Sequence, residues 1–193
     1  MREASLSRES SESRIEVNLN LDGTGKSKIA TGVGFFDHML TLFAFNAKID
    51  LSVEAKGDLE VDDHHTVEDV GIVLGQALRD AFGQKKGIAR YGFSLLPMDE
   101  ALGRVVLDIS GRPFLVFKAE FTKEKLGDLS TEMIAEFFRG LSVWAGLTLH
   151  MEIIYGANNH HMAEALFKGF GQALYQAKIE TGSLVPSTKG VID

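Results

Sequence analysis

The sequence predicts an α+β fold made of two copies of one β-β-α-β-α half, residues 1–88 and 89–193, that form one compact pseudo-symmetric unit. In both halves, stretches that alternate apolar and polar residues, as half-buried strands do, are followed by stretches with the apolar spacing of helices. The motif His-His-x-x-Glu begins at His64 and again at His160, and Gly-Gln-Ala-Leu follows each copy at the same distance. A repeat of both element order and motif indicates an internal duplication.

The first half is predicted to begin with a β-hairpin. Its predicted elements are strands over 15–21, 26–31 and 49–53 and helices over 34–46 and 66–82. Asp22-Gly23 between the first two strands is typical of a hairpin turn. Asp62 or Asp63 is expected to cap the second helix.

The second half is predicted to repeat this order. Its predicted elements are strands over 90–96, 104–109, 114–121 and 148–155 and helices over 131–147 and about 160–180. A Gly-Arg-Pro turn at 111–113 is expected to join the second and third of these strands. Asp128 or Ser130 is the expected cap of the helix that follows. When the halves are aligned, the Phe-Phe pair at 35–36 corresponds to the pair at 137–138.

Composition limits the classes of partner and ligand. A formal net charge of −7 argues against nucleic acid or an anionic membrane as a partner, because both require an excess of Lys and Arg. The chain has no Cys, so imidazole and carboxylate groups would bind any metal ion, which favours Mn, Fe, Zn or Ni. Without an apolar run of membrane-spanning length, or a signal-peptide core in residues 1–13, the chain is expected to be soluble and cytoplasmic.

Both copies of the motif carry potential metal ligands. Adjacent residues of a helix point about 100° apart, so we expect His64 and His65 to bind different ions. Glu68 is then expected to share an ion with one of the two histidines. The copy at 160–164 repeats this arrangement. The sequence therefore predicts two metal ions, each bound by residues of both halves.

Two further candidate ligands lie on the other predicted helices. His38 follows the first Phe-Phe pair, and Glu136 occupies a similar place beside the second. His150 is alone near the start of a strand, which is more typical of a hydrogen-bonded core residue.

A local group of cations can bind a small anion even on an acidic chain. Arg90, Arg112, Lys168 and Lys189 are, taken singly, more typical of solvated surface charges. Arg112 in its Gly-Arg-Pro turn and the Ser-Thr-Lys segment at 187–189 are the better anion ligands, because they combine fixed donors with positive charge.

These residues resemble the imidazoleglycerol-phosphate dehydratase family of histidine biosynthesis, and the resemblance extends from about residue 9 to 191. The segments that carry it are 31–40 (TGVGFFDHML), 62–65 (DDHH), 97–102 (PMDEAL), 108–113 (DISGRP), 159–161 (NHH) and 186–190 (PSTKG). Several long motifs in the same order are more specific than any one of them.

The resemblance implies that each half folds as a four-stranded, mostly antiparallel sheet with two helices on one face. It also implies two Mn²⁺ ions per active site and an assembly of 24 subunits with active sites between subunits. One ion would be bound by His38, His65, His160 and Glu164, and the other by His64, Glu68, Glu136 and His161.

The implied reaction is the dehydration of D-erythro-imidazole glycerol phosphate to imidazole acetol phosphate. Removing an unactivated proton beside the ring and expelling a hydroxyl are both difficult at neutral pH, so we expect two metal ions on the ring nitrogens to stabilise an imidazolate intermediate. Glu12 is implied as the proton-transfer group, with Asp99 or Glu100 as lesser candidates. The implied substrate-binding residues are Glu12, Arg90, Arg112, Lys168, Ser187, Thr188 and Lys189.

Two other classes of protein fit the same ligands. A two-metal phosphatase or amidohydrolase would use the ions to activate water. A non-catalytic assembly protein would use them only to join subunits.

Overall fold

The computed structural model describes residues 2–192. Its first half contains β1 Glu3–Glu9, β2 Ser13–Asn20, β3 Ser27–Ala30, α1 Gly34–Ala47, β4 Asp50–Gly57 and α2 His64–Phe82. Its second half contains β5 Tyr91–Met98, β6 Ala101–Asp108, β7 Phe114–Lys118, β8 Lys125–Leu126, β9 Leu129–Ser130, α3 Glu132–Ala145, β10 Thr148–Tyr155 and α4 Asn159–Lys178.

The two halves have the same sheet topology. The strand order is β1-β2-β4-β3 in the first sheet and β5-β6-β10-β7 in the second. In each sheet, two neighbouring pairs are antiparallel, and the last pair, β3 with β4 or β7 with β10, is parallel. The predicted α+β fold with a duplicated, mostly antiparallel four-stranded sheet is therefore confirmed.

The predicted hairpin between β2 and β3 is wrong, because β4 lies between these strands. Asp50, at the start of β4, accepts hydrogen bonds from the backbone N–H groups of Thr24 and Lys26 at 2.8 and 3.0 Å. These bonds lead the chain across the start of β4 to its other edge, where β3 forms, instead of back along β2. The Gly-Arg-Pro segment at 111–113 likewise passes the start of β10, where the N–H of Gly111 donates to the carbonyl of Gly146.

In the two four-stranded sheets the hairpins are β1–β2 and β5–β6, and β1 lies in a segment with no predicted element. Strand β1 is an edge strand whose inward residues, Ala4, Leu6 and Arg8, are only half-buried. Small and polar residues at such positions give little apolar periodicity, so the strand leaves a weak signal in the sequence. The strand predicted over 114–121 ends at Lys118, and the hairpin of β8 and β9 follows it.

The helices form two central layers between the sheets, and they pair across the halves. α1 packs on α4, and α2 packs on α3. Glycines permit these close contacts: a Cβ at Gly71 would lie 2.6 Å from the backbone oxygen of Phe137, and one at Gly171 would lie 2.8 Å from that of Phe43. None of the helices within residues 2–192 combines the length and the apolar character needed to cross a membrane.

The structure corrects the alignment of the halves. α1 and α3 begin at Gly34 and Glu132, 98 residues apart, and both end at a left-handed cap, Lys48 and Gly146, that are also 98 residues apart. At this offset His38 corresponds to Glu136, so the Phe-Phe pairs at 35–36 and 137–138 are not equivalent. The strands β1 to β3 match β5 to β7 at an offset of 88 residues, whereas α1 matches α3 at 98. The offset grows between them because the second half contains an insertion that includes β8 and β9.

We predict that Gly92→Ala destabilises the protein by roughly 1–3 kcal/mol, as expected for overpacking. A Cβ at Gly92 of β5 would overlap the backbone oxygen of Ala173 of α4, which cannot rotate away. The matched control is Gly182→Ala, because a Cβ at Gly182 meets no atom within 4 Å. Denaturant unfolding in chelator should give a lower midpoint for the first variant only, and equal midpoints would contradict the prediction.

Candidate metal centre

Three predicted ligands from both halves form one cluster. His160 and Glu164 lie one turn apart on α4, and His38 reaches them from α1. The Nε2 atoms of His160 and His38 lie 2.9 and 3.1 Å from Oε1 of Glu164, and one ligand atom from each residue lies within 4.8 Å of the others. Two imidazoles and a carboxylate are a donor set that fits a divalent transition metal ion.

Glu164 is held in its charged form. Burial raises the pKa of this carboxyl, but Lys168, His160 and His38 outweigh that effect and bring the pKa to about 2. Nζ of Lys168, one turn further along α4, lies 2.5 Å from Oε2 of Glu164. Lys168 therefore fixes one carboxylate oxygen and leaves the other directed at the two histidines. A carboxylate that is ionised and oriented in this way is ready to bind a cation.

The second half-site repeats this arrangement with α2 and α3. Nε2 of His64 lies 3.8 Å from Oε2 of Glu68, one turn along α2. Glu136 of α3 is the structural equivalent of His38. It lies one turn before Gly140, which packs closely on the turn of Glu68: a Cβ at Gly140 would lie 3.4 Å from the backbone oxygen of Glu68. Glu136 accepts a hydrogen bond of 2.6 Å from Arg139 on its own helix. The side chain of Glu136 is thus on the facing turn but turned towards Arg139.

The second histidine of each pair lies outside the cluster. Nδ1 of His65 lies 3.0 Å from Asp58, and Nδ1 of His161 lies 2.6 Å from Glu100. These carboxylates raise the pKa of each imidazole. A carboxylate on one ring nitrogen is the usual partner of a histidine whose other nitrogen binds a metal ion. His65 and His161 are thus oriented as ligands, with their Nε2 atoms available to another site.

The structure thus groups the predicted ligands only in part. Of the four residues predicted for the first ion, His38, His160 and Glu164 are together and His65 is not. Of those predicted for the second, His64 and Glu68 are together, Glu136 is on the facing turn, and His161 contacts Glu100 instead. The imidazole planes of His64 and His65 differ by 73°, and those of His160 and His161 differ by 76°, so the two rings of each pair point in different directions.

The inserted segment 119–131 forms hydrogen bonds with the N-terminal ends of the helices that carry the candidate ligands. Asp128 accepts hydrogen bonds from the N–H groups of Gly34 and Phe35 at 2.6 and 2.9 Å, so it caps α1 and not α3 as predicted. Asp63 accepts from Ser130. Asn159, the repeat equivalent of Asp63, accepts from the backbone N–H groups of 122 and 123. Of the two predicted caps of α2, Asp62 accepts a hydrogen bond from the N–H of His64 at 2.8 Å, whereas Asp63, at the N-cap position, makes no side-chain cap hydrogen bond.

The predicted anion ligands form a separate cavity of about 620 Å³. It is lined by Arg90, Tyr91, Arg112, Pro186, Ser187, Thr188, Lys189, Val191 and Ile192. Arg90 forms an ion pair with Asp108 at 2.7 Å and donates to the carbonyl of Pro186 at 2.9 Å, which fastens the C-terminal segment. Within residues 2–192 the guanidinium of Arg112 has no ion-pair partner, so it is available to an anion. Lys168, the remaining predicted phosphate ligand, lies beside Glu164 instead.

The candidate proton-transfer groups lie at equivalent turns. Glu12, between β1 and β2, has Oε2 3.8 Å from Nε2 of His65 and is half-exposed. Glu100, between β5 and β6, is bound by His161 and by the N–H groups of Ala157 and Asn158, and the bond from His161 lowers its pKa to about 2. Asp99 is exposed, with Oδ2 3.6 Å from Nε2 of His161.

Comparison with known proteins agrees with this fold. A family model described as imidazoleglycerol-phosphate dehydratase matches residues 31–174. Relatives with this name include those of Exiguobacterium sp., 57% identical over 100% of both chains, and Clostridium acetobutylicum, 58% identical over 99% of this chain and 98% of its own. The Staphylococcus aureus structure of that name has a TM-score of 0.84 and 46% identity, covering 92% of this chain and 98% of that chain. The Pyrococcus furiosus structure has a TM-score of 0.83 and 38% identity, covering 96% and 99%.

Proposed function

The chain belongs to the imidazoleglycerol-phosphate dehydratase family, and we propose that it dehydrates imidazole glycerol phosphate with two divalent metal ions at each active site. The product is imidazole acetol phosphate, and the reaction class is that of a carbon–oxygen hydro-lyase. The observation that carries the metal-dependent part is the cluster of His38, His160 and Glu164, with an equivalent set on α2 and α3.

Two ions suit this substrate because its imidazole ring has two nitrogens. When bound, divalent cations would act as Lewis acids that withdraw charge from the ring and so ease loss of the proton beside it. The family resemblance favours Mn²⁺, although imidazole and carboxylate donors also accept Zn, Fe and Ni.

The chain's own residues divide the remaining tasks. Glu12 moves the proton, since its carboxylate makes no hydrogen bond to another residue in the range 2–192, whereas Glu100 is bound on several sides. The cavity that holds Arg112 and Lys189 binds the phosphate through charge-assisted hydrogen bonds. Lys168 keeps Glu164 ionised and oriented.

The active site is shared between copies of the chain. Within one chain His38, His160 and Glu164 form one cluster, and His64 and Glu68 lie together on the turn that faces Glu136. His65 and His161 are oriented by their own carboxylates and lie outside the cluster. We infer that α4 of one copy meets α2 of another, so that His65 completes the first ion and His161 the second. The family resemblance suggests that 24 copies assemble in this way. A cytoplasmic location stays a prediction from the sequence.

We predict that the Mn-loaded protein converts imidazole glycerol phosphate to imidazole acetol phosphate and that chelator stops turnover. His160→Ala should lose bound metal and activity, because it removes one of the three clustered ligands. The matched control is His150→Ala, on the outer face of β10. Bound Mn without product would rule out the proposal, and release of inorganic phosphate would indicate a metal-dependent phosphatase instead.

We predict that two inactive variants restore activity when they assemble together. In a mixture of His160→Ala and His64→Ala subunits, a site built from the intact α4 of one variant and the intact α2 of the other should be active. Random pairing should give about a quarter of wild-type turnover. The matched control mixes His160→Ala with Glu164→Gln, which both damage the α4 side and should restore nothing. If the first mixture is as inactive as the control, each site is built within one chain.

We predict that Glu12→Gln lowers kcat by roughly 100-fold or more, because it removes a proton-transfer group without removing a ligand. Metal content and assembly size, measured by elemental analysis and size exclusion, should stay at wild-type values. Unchanged turnover would exclude Glu12 as the proton-transfer group and would favour Asp99 in that role. Absence of turnover in the wild-type protein, together with assembly that depends on metal, would favour a purely structural use of the metal.

A further inference from the structure

A polar network lies beneath the turn that carries Glu12. Asp69 of α2 is buried, and its Oδ2 accepts a hydrogen bond from the hydroxyl of Ser13 and forms an ion pair with Arg8. Ser13 follows Glu12 directly and is itself buried, and Arg8 is on the adjacent strand β1. Asp69 follows Glu68 on the helix that carries His64 and His65. The network therefore joins the Glu12 turn to the ligand helix.

The other half of the molecule shows that this network is not needed for packing. In the strands, where the halves are 88 residues apart, Leu96 replaces Arg8 and Ala101 replaces Ser13. In the helix, where they are 96 residues apart, Ala165 replaces Asp69. All three are buried and apolar. The same fold therefore packs here without a polar group, and buried ion pairs in general can be replaced by apolar residues with little loss of stability.

The two turns differ in how their carboxylates are held. Glu100 is fixed directly, by His161 and by the N–H groups of Ala157 and Asn158 at the start of α4. In the part of the chain that the structure describes, the carboxylate of Glu12 has no such bonds, and its Oε2 lies 3.8 Å from Nε2 of His65. Its backbone is held instead, since the N–H of Glu12 donates to Ser10 Oγ at 3.2 Å and its carbonyl accepts from Asp58 at 3.1 Å. The position of this carboxylate is therefore set through its backbone.

We propose that Arg8, Ser13 and Asp69 are positioning residues that fix the β1–β2 turn on α2 and so place Glu12 against the metal ligands. This proposal rests on the proposed function, in which Glu12 moves the proton. The free energy of holding a reactive group in place is large, since a misplacement of about 1 Å can cost on the order of 100-fold in rate.

The test transfers the apolar set of the second half into the first, as the triple variant Arg8→Leu, Ser13→Ala, Asp69→Ala. We expect kcat to fall roughly 10- to 100-fold, with KM within about 2-fold of wild type and metal content unchanged. In a Glu12→Gln background the triple substitution should cause no further loss, because the network acts through Glu12. An unchanged kcat, or a loss that multiplies with that of Glu12→Gln, would overturn the proposal.

A second measurement does not depend on catalysis. Hydrogen exchange at the amides of Glu12, Ser13 and Asp58 should be at least about 10-fold faster in the triple variant, while the amides of Ala157 and Asn158 at the other turn keep their rate. Unchanged exchange at the first turn would also overturn the proposal. If the wild-type protein yields no imidazole acetol phosphate, the proposed function has failed, and the exchange rates still decide whether the network holds the turn.

A pair of isosteric variants covers the case in which the triple variant does not fold. Ser13→Thr and Ser13→Val add the same volume, but only the first keeps a hydroxyl that donates to Asp69. The valine variant should show the lower kcat and the faster exchange. Equal values for the two would contradict a role for the Ser13 hydroxyl.

Discussion

The parallel packing of helices across the two halves is the constraint on which the site depends. α1 lies on α4 and α2 lies on α3, so each pair joins a helix of one half to a helix of the other. Glycines at the contacts, such as Gly71 and Gly171, let the backbones approach closely and fix which turns face each other. Because the pairs are parallel, the N-terminal turns that carry the ligands meet, and His38 reaches the turn that contains Glu164.

The inserted segment 119–131 breaks the symmetry of the duplication and stabilises the same end of the helices. It contacts the start of α1 through Asp128, the start of α2 through Asp63 and the start of α4 through Asn159. Carboxylates at helix N-termini satisfy free N–H groups and interact favourably with the helix dipole. One segment thereby sets the relative positions of the helices that carry the ligands.

Duplication supplied equivalent positions, and divergence gave them different hydrogen-bond partners. Glu12 and Glu100 lie at equivalent turns, yet only Glu100 is tied to the adjacent helix by several hydrogen bonds. The cavity that contains Arg112 lies outside the repeated elements in part, because the C-terminal segment that Arg90 fastens forms one side of it. A local group of cations thus gives a chain of net charge −7 a candidate anion site.

The sequence by itself determined the duplication, the element types and the candidate ligands, because helical spacing and a repeated His-His-x-x-Glu motif are local properties. It did not determine that β4 lies between β2 and β3, since strand order depends on contacts such as those of Asp50 between distant segments. Nor did it reveal the edge strand β1 or the equivalence of His38 and Glu136, which an insertion of unknown position obscured. Only the tertiary structure decided which ligands share a cluster within one chain, because side-chain direction is known only once the helices are packed.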